Sequence, residues 1–170
     1  MHIAIGSDHR GFKLKEYLRE KIKTNGQQNI SWLDCGAFND ARSDYPEFAM
    51  PVCREVEDGN ADFGILICGN GVGMSIAANK FLTIYAALAW SEDVAKASKE
   101  DDNSNVLVLP ADFVSNELAE KIIFAWINAK FKGKEYQKRI DMINEISGMV
   151  IAEVLDGMEE MSLDKNDTCC

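Results

Sequence analysis

The chain has 170 residues, 46% hydrophobic and 27% charged, which suits one globular domain with a full core and excludes a disordered chain. Its formal net charge of −10, with no Lys/Arg cluster to offset it, argues against nucleic acid and anionic membrane surfaces as partners. A small anionic ligand stays open, because it needs only a local pocket of donors.

The opening Met1-His2-Ile3-Ala4-Ile5-Gly6 reads as a short strand, not a signal peptide, since it lacks a basic region and a long apolar run. No run reaches the length of a transmembrane helix. From there, apolar strand-like runs alternate with amphipathic segments of helix length. Strands are predicted over His2–Ser7, Ile30–Asp34, Phe63–Ile67, Ile84–Leu88 and Val106–Leu109. Helices are predicted over Gly11–Thr24, Tyr45–Glu57, Gly71–Asn79, Asp93–Lys99 and Ser115–Ala129. In the first helix Phe12, Leu14, Tyr17, Leu18 and Ile22 fall mostly on one stripe, with Lys and Glu on the other. This alternation predicts right-handed βαβ units and a parallel sheet covered on both faces. Ligands of such sheets bind beyond the carboxyl ends of the strands.

After Ala129 comes a polar break, Lys130-Phe131-Lys132-Gly133-Lys134. Ile140, Ile143, Ile146, Val150, Ile151 and Val154 then recur at helical spacing. One small domain has little surface left to bury such a helix, so the pattern predicts packing against a second subunit; the alternative is a helix folded back on its own sheet. Residues 1–150 read as a single domain, and 151–170 as a helix end with an acidic tail. The five cysteines, Cys35, Cys53, Cys68, Cys169 and Cys170, are scattered and show no zinc spacing. They read as reduced thiols in a cytoplasmic setting. The terminal Cys169-Cys170 lacks the basic neighbours of a lipid anchor and reads as part of a solvated tail.

Three segments carry candidate chemistry at one edge of the sheet. The first, Gly6-Ser7-Asp8-His9-Arg10-Gly11-Phe12, leaves strand one. Asp8 suits a helix cap and a substrate ligand equally. His9 reads as a donor to an anionic or hydroxyl group, against the plainer reading of an exposed loop histidine. The second is Cys68-Gly69-Asn70-Gly71-Val72-Gly73. An isolated cysteine is more often a small core residue. Here the alternating glycines allow close backbone approach and convergent N–H groups at a helix mouth. The spacing is neither a Walker A loop nor GxGxxG, so no nucleotide is implied. The third, Asp44-Tyr45-Pro46-Glu47, begins a helix with an early proline.

A thiol beside an anion pocket suits proton abstraction next to a carbonyl. The ordinary thiol pKa is about 8.5. A helix N-terminus that lowered it by about one to two units would make it a base near neutral pH. The glycine amides and Asn70 could hold the enediolate oxygen, which is the chemistry of aldose–ketose isomerisation.

At these residues the chain resembles a known family. Gly6-Ser7-Asp8-His9-x-Gly11-Phe12, Asp44-Tyr45-Pro46 and the block Gly64 to Lys80 around Cys68 are similar to ribose-5-phosphate isomerase B and galactose-6-phosphate isomerase. Asn103-x-Asn105-Val106-Leu107 and Gln137-x-Arg139-Ile140 extend the likeness over roughly residues 1–145. The resemblance implies a Rossmann-like three-layer α/β/α sandwich with a five-stranded parallel sheet. It further implies a homodimer or tetramer with shared active sites, a C-terminal helix used in dimerisation, a sugar or sugar phosphate as substrate, and no cofactor or metal. By position, Cys68 is the enediol base, and Gly69, Gly71, Val72, Gly73 and Ser75 belong to the anion-binding loop. Asn70 stands where many members carry a proton-handling Thr. Asp8 would bind sugar hydroxyls, His9 the phosphate end, and Tyr45 would line the pocket.

The chain departs from the family pattern in several places. Asp101 and Asp102 occupy the ring-opening His and its neighbouring Asn, and a carboxylate pKa near 4 matches a hydroxyl donor role at pH 7 poorly. Ala89-Trp90-Ser91 replaces Cys-His-Asp. Asp112 and Glu135 replace phosphate-binding arginines and Tyr136 a histidine, leaving Arg139, with Arg10, Lys134 and Lys138 as further cations. The expectation is a sugar isomerase that keeps its proton-transfer loop and whose preferred sugar is not simply ribose 5-phosphate. The alternative is a non-catalytic member that binds a sugar or a partner subunit. A flavodoxin-like redox or nucleotide domain fits the strand–helix alternation alone.

Overall fold

Which layer each side chain joins is decided by alternation along the strands. A computed structural model describes residues 1–164, with side chains as far as residue 155. The terminal Cys169-Cys170 lies outside the described residues. Strands β1 (His2–Ser7), β2 (Ser31–Asp34), β3 (Phe63–Cys68), β4 (Ala86–Leu88) and β5 (Val106–Pro110) form one sheet in the order β2-β1-β3-β5-β4. Every neighbouring pair is parallel. Helices α1 (Phe12–Lys21), α2 (Pro46–Glu57), α3 (Val72–Ala78), α4 (Glu92–Asp102) and α5 (Asn116–Ile127) connect and cover it, and α6 (Glu135–Asp164) follows.

Ile3, Ile5, Ile65, Ile67, Leu107 and Leu109 pack with Leu14 and Leu18 of α1, Ala95 of α4, and Ile122, Ile123 and Trp126 of α5. The residues between them, Ala4, Leu66, Cys68, Val106 and Val108, meet Val52 and Cys53 of α2 and Met74 and Ala78 of α3. This is the expected three-layer α/β/α sandwich. Strands covered on both faces need apolar residues at every position, and burying each such Ile or Leu contributes roughly 1.5–3 kcal/mol.

Several element ends differ from the sequence reading. Helix α1 stops at Lys21, because Ile22 turns extended at φ −92° and ψ 104°. Strand β4 begins at Ala86 and not Ile84, and two asparagine side chains hold the backbone on either side of that start. The Asn105 amide accepts from Tyr85 N–H at 2.8 Å and donates to Thr83 O at 2.7 Å. The Asn79 amide brackets Ala86, accepting from its N–H and donating to its carbonyl, each at 2.9 Å. Helix α4 runs on to Asp102 and closes with Asn103 in the left-handed region at φ 50°.

Lys15, assigned by the sequence pattern to the polar face of α1, is fully buried. Its ammonium group donates to Asp34 Oδ1 at 2.5 Å and to Ala37 O at 2.7 Å. The rings of Phe12 and Phe38 flank it. A buried charge is tolerable when paired and bonded in this way.

The chain divides into two compact units, residues 1–132 and residue 133 onward. In the second, the Arg139 guanidinium lies 5.0 Å from the centre of the Tyr136 ring. The α6 side chains of Ile143, Ile146, Met149, Val150 and Val154 are exposed. No helix among the described residues is long and apolar enough to cross a membrane.

Lys99 yields a stability prediction. Its ammonium donates to Ser104 O at 2.8 Å and sits 4.4 Å from the Phe63 ring centre. Burial lowers its pKa from 10.5 to about 8. Between those values the unfolded chain binds the proton and the folded chain does not, so folding stability rises with pH. The melting temperature of the wild type relative to Lys99→Met should therefore climb between pH 8 and pH 10.5, as measured by thermal denaturation.

Candidate active site

Strands β1, β3 and β5 are neighbours in the sheet, so the loops leaving their carboxyl ends meet. Cys68 ends β3 opposite Pro110 of β5, on the face covered by α2 and α3, and is only 4% exposed. The loop beyond it is built by close approaches. Gly71 has φ 77°, a left-handed conformation, and a Cβ there would collide with Leu88 of β4. That conformation turns the Gly71 N–H back to donate to Cys68 Sγ at 3.2 Å. A Cβ on Gly73 would stand 2.5 Å from Tyr45 Cζ, so the Tyr45 ring lies directly on the loop. A Cβ on Gly69 would stand 2.5 Å from Arg10 Nε.

The thiol does not have the lowered pKa expected at a helix mouth. Burial, the largest influence, pushes it up, and the charge of Asp8 adds to this. Bonds from the backbone N–H groups of Met74, Gly71 and Asn70 work in the other direction. Helix α3 spans only seven residues, and desolvation outweighs the donors at its start.

The remaining predicted residues of the first unit fall into two places. Asp8 is buried beside Cys68, and its Oδ1 accepts from Arg10 N–H at 2.9 Å and Gly11 N–H at 3.0 Å. It therefore braces the turn before α1, while the N-cap position itself is Gly11 without a side-chain cap. His9 Nδ1 lies 3.1 Å from Ser43 O and 3.3 Å from Ser43 N, and the His9 N–H donates to Ser43 Oγ at 3.2 Å. This leaves Nε2 for a ligand; if Nδ1 accepts the Ser43 N–H, Nε2 carries the proton and can donate to an anion. The Asn70 Oδ1 accepts from Val72 N–H at 3.1 Å, leaving its NH2 group for a ligand. Ser75 N–H donates to Gly71 O at 3.0 Å and thereby starts α3. Asp101 and Asp102 are brought elsewhere. They end α4, which runs back from the carboxyl edge to the start of β5, so within one chain they stand at the amino edge of the sheet. Asp101 Oδ1 accepts from Lys132 Nζ at 2.7 Å. Arg139 belongs to the second unit.

Sequence reasoning missed the Ser43 contact with His9 and the pairing of Arg10 with Asp112. Both link residues far apart in the chain, and neither has a local signal. A cavity of about 340 Å³ beside the loop is lined by Asn70, Leu88, Trp90, Pro110 and Phe113. A larger one of about 450 Å³ is lined by Pro46, Ala49, Met50, Ala77 and Phe81, with Glu47 and Lys80 also on its lining, and holds none of the predicted site residues. Among the described residues, no group of three or more His, Cys, Asp or Glu is placed to hold a metal ion.

The carboxyl edge of the sheet thus carries a buried thiol with backbone N–H donors on its sulfur, Asp8 close enough to act on it, and the Tyr45 ring against its loop. The chain belongs to the ribose/galactose isomerase family, whose sequence model matches residues 3–143. It is 40% identical over 144 residues to ribose-5-phosphate isomerase B of Escherichia coli, covering 85% of this chain and 95% of that one. The structure of the Clostridium thermocellum ribose-5-phosphate isomerase B superposes with a TM-score of 0.84 at 37% identity, covering 88% of this chain and 99% of that one. The Mycoplasma genitalium ribose-5-phosphate isomerase B, solved with bound ribulose-5-phosphate, gives a TM-score of 0.78 at 41% identity, covering 86% and 96% of the two chains.

The loop geometry is open to test at Gly71. A Gly71→Ala variant should lose about 1–3 kcal/mol of stability to backbone strain, and more if Leu88 cannot yield. It should also displace the N–H that faces the sulfur, so alkylation of Cys68 should shift to higher pH. An unchanged alkylation profile would remove Gly71 from the control of the thiol.

Proposed function

We propose that this chain is an aldose–ketose isomerase that interconverts ribose 5-phosphate and ribulose 5-phosphate, or a closely related sugar phosphate, with Cys68 as the base. The observation that carries this reading is the seat of Cys68, a buried thiol with the Gly71 N–H 3.2 Å from its sulfur, in a chain of the ribose/galactose isomerase family. The Cys68 thiolate removes the proton from C2 of the open-chain aldose. The C2–H electron pair forms the C1=C2 bond and the carbonyl pair moves to O1, giving a cis-enediolate. A proton passes from O2 to O1, and return of the thiol proton to C1 leaves the ketose. The Asn70 NH2 group would donate to an enediolate oxygen, while the loop amides on the sulfur favour its thiolate. Asp8 holds sugar hydroxyls, Tyr45 closes one wall, and His9 Nε2 faces the phosphate end.

We take the working unit to be a homodimer or tetramer with shared active sites. The exposed apolar side chains of α6 support this. So does the placement of Asp101 and Asp102, which would meet a Cys68 only from a second copy. Arg139 would add a cation for the phosphate. Residues 1–150 form the isomerase domain on this reading, and the reaction is a step of pentose phosphate interconversion in the cytoplasm. A second reading, sugar binding without turnover, draws on the ion pair that holds Asp101 against Lys132 and so restrains it from opening a sugar ring.

Exchange of solvent deuterium into ribose 5-phosphate separates the two readings, since an enediol requires exchange and simple binding gives none. Replacing Cys68 with Ala should cut turnover by about 10²- to 10⁴-fold while leaving the melting transition in place. Retained turnover would end the role given to this thiol. Because burial raises the pKa of this thiol, which is about 8.5 when unperturbed, the thiolate is a minority at neutral pH. Hence kcat/KM should rise about tenfold per unit from pH 7 toward pH 9. A flat profile over that range would point to another base.

A further inference from the structure

We propose that Arg10 is a phosphate-binding cation of this site and that Asp112 positions it; the proposal rests on the sugar-phosphate reading above. A sugar phosphate brings up to two negative charges to an edge that already holds Asp8 and Asp112. Binding there needs a cation, and Arg10 brings one to this edge. A Cβ built on Gly69 would stand 2.5 Å from Arg10 Nε, 2.6 Å from its Cζ and 2.7 Å from Asp112 Oδ2. The guanidinium therefore lies against the loop that carries Cys68, in space that a side chain at position 69 would occupy.

Both ends of Arg10 are tied. Its backbone N–H donates to Asp8 Oδ1 at 2.9 Å, and its Nη2 pairs with Asp112 Oδ2. Asp112 is itself anchored, its N–H donating to Gly69 O at 2.9 Å. The three partners come from the ends of β1, β3 and β5, three neighbouring strands. As a stabilising device the pair would be weak. The side chains are 57% and 36% exposed, and exposed pairs contribute about 0–1 kcal/mol. As a binding device it is well made. Asp112 occupies one corner of the fork and leaves further N–H donors for phosphate oxygens. A head held in place before binding loses little freedom when an anion arrives.

The test compares Arg10→Gln, Arg10→Lys, Asp112→Ala and Asp112→Asn with the wild type. It uses turnover of ribose 5-phosphate and of unphosphorylated ribose, and binding of inorganic phosphate by calorimetry. Arg10→Gln should raise KM for ribose 5-phosphate and weaken inorganic phosphate binding by about tenfold or more. The loss in kcat/KM on ribose 5-phosphate should exceed that on ribose by the same factor. Arg10→Lys should recover only part of it, because an ammonium lacks the fork. Asp112→Ala should raise KM severalfold with kcat less affected, and Asp112→Asn, which can still hold the guanidinium, should fall between it and the wild type. Equal losses on the two sugars, or phosphate binding unaltered in Arg10→Gln, would overturn the assignment of Arg10. Tighter phosphate binding in Asp112→Ala would overturn the positioning role and make Asp112 a competitor. If the wild type fails to turn over ribose 5-phosphate yet phosphate binding still depends on Arg10, the isomerase reading falls and the anion site stands.

Discussion

Taking a thiol out of water is the constraint on which this site depends. Buried at the end of β3, Cys68 resists ionisation, and only oriented backbone N–H groups oppose that tendency. Aiming the Gly71 N–H at the sulfur demands a left-handed residue there, and the space beside it is already filled by Leu88. Leu88 in turn ends a three-residue strand at the edge of the sheet, where Asn79 and Asn105 fix the backbone leading into it. A chain of contacts thus runs from two asparagine amides to the proton affinity of one sulfur. A less acidic thiol is also a stronger base once ionised.

Around that thiol, polar groups do two tasks each. Asp8 braces the turn that leads into α1 and also presses its charge on Cys68. Ser43 takes one face of His9 and so selects the nitrogen that remains for a ligand. Asp112 ties the β5 loop to Gly69 and holds the Arg10 head against it. Farther along the sheet, Lys15 and Arg19 converge on Asp34, the last residue of β2, and Lys15 reaches on to Ala37. That buried charge steadies the start of the connection to α2, the same connection that carries Ser43 and Tyr45 to the site. The polar framework lies under the loops, and the sandwich core lies under the framework.

Much of this was legible in the chain. Strand positions follow from the β-branched and aliphatic runs, and their parallel arrangement follows from alternation with helices. The cysteine loop stood out because glycine spacing after a buried strand has few other uses. What escaped the sequence were contacts between distant residues and the balance between opposed effects. Lys15 looked like a surface lysine, since nothing in its own helix announces Asp34 and Ala37 as partners. The helix mouth at Gly71 suggested a lowered thiol pKa, because sequence displays the donors and conceals the desolvation. The resemblance gives Asp101 and Asp102 to a site shared between subunits, and the direction of α4 sets them at the edge of the sheet opposite Cys68 in their own chain.

By itself the sequence determined the layers, the parallel sheet, the family and the thiol at the mouth of α3, because each rests on local pattern: period, glycine spacing and strand-to-helix order. Only the tertiary structure decided the proton affinity of that thiol, the partner of His9 and the seat of Arg10. Those depend on burial and on distances between segments up to a hundred residues apart, and electrostatic energies in a folded protein are set by such distances and by the water excluded between them.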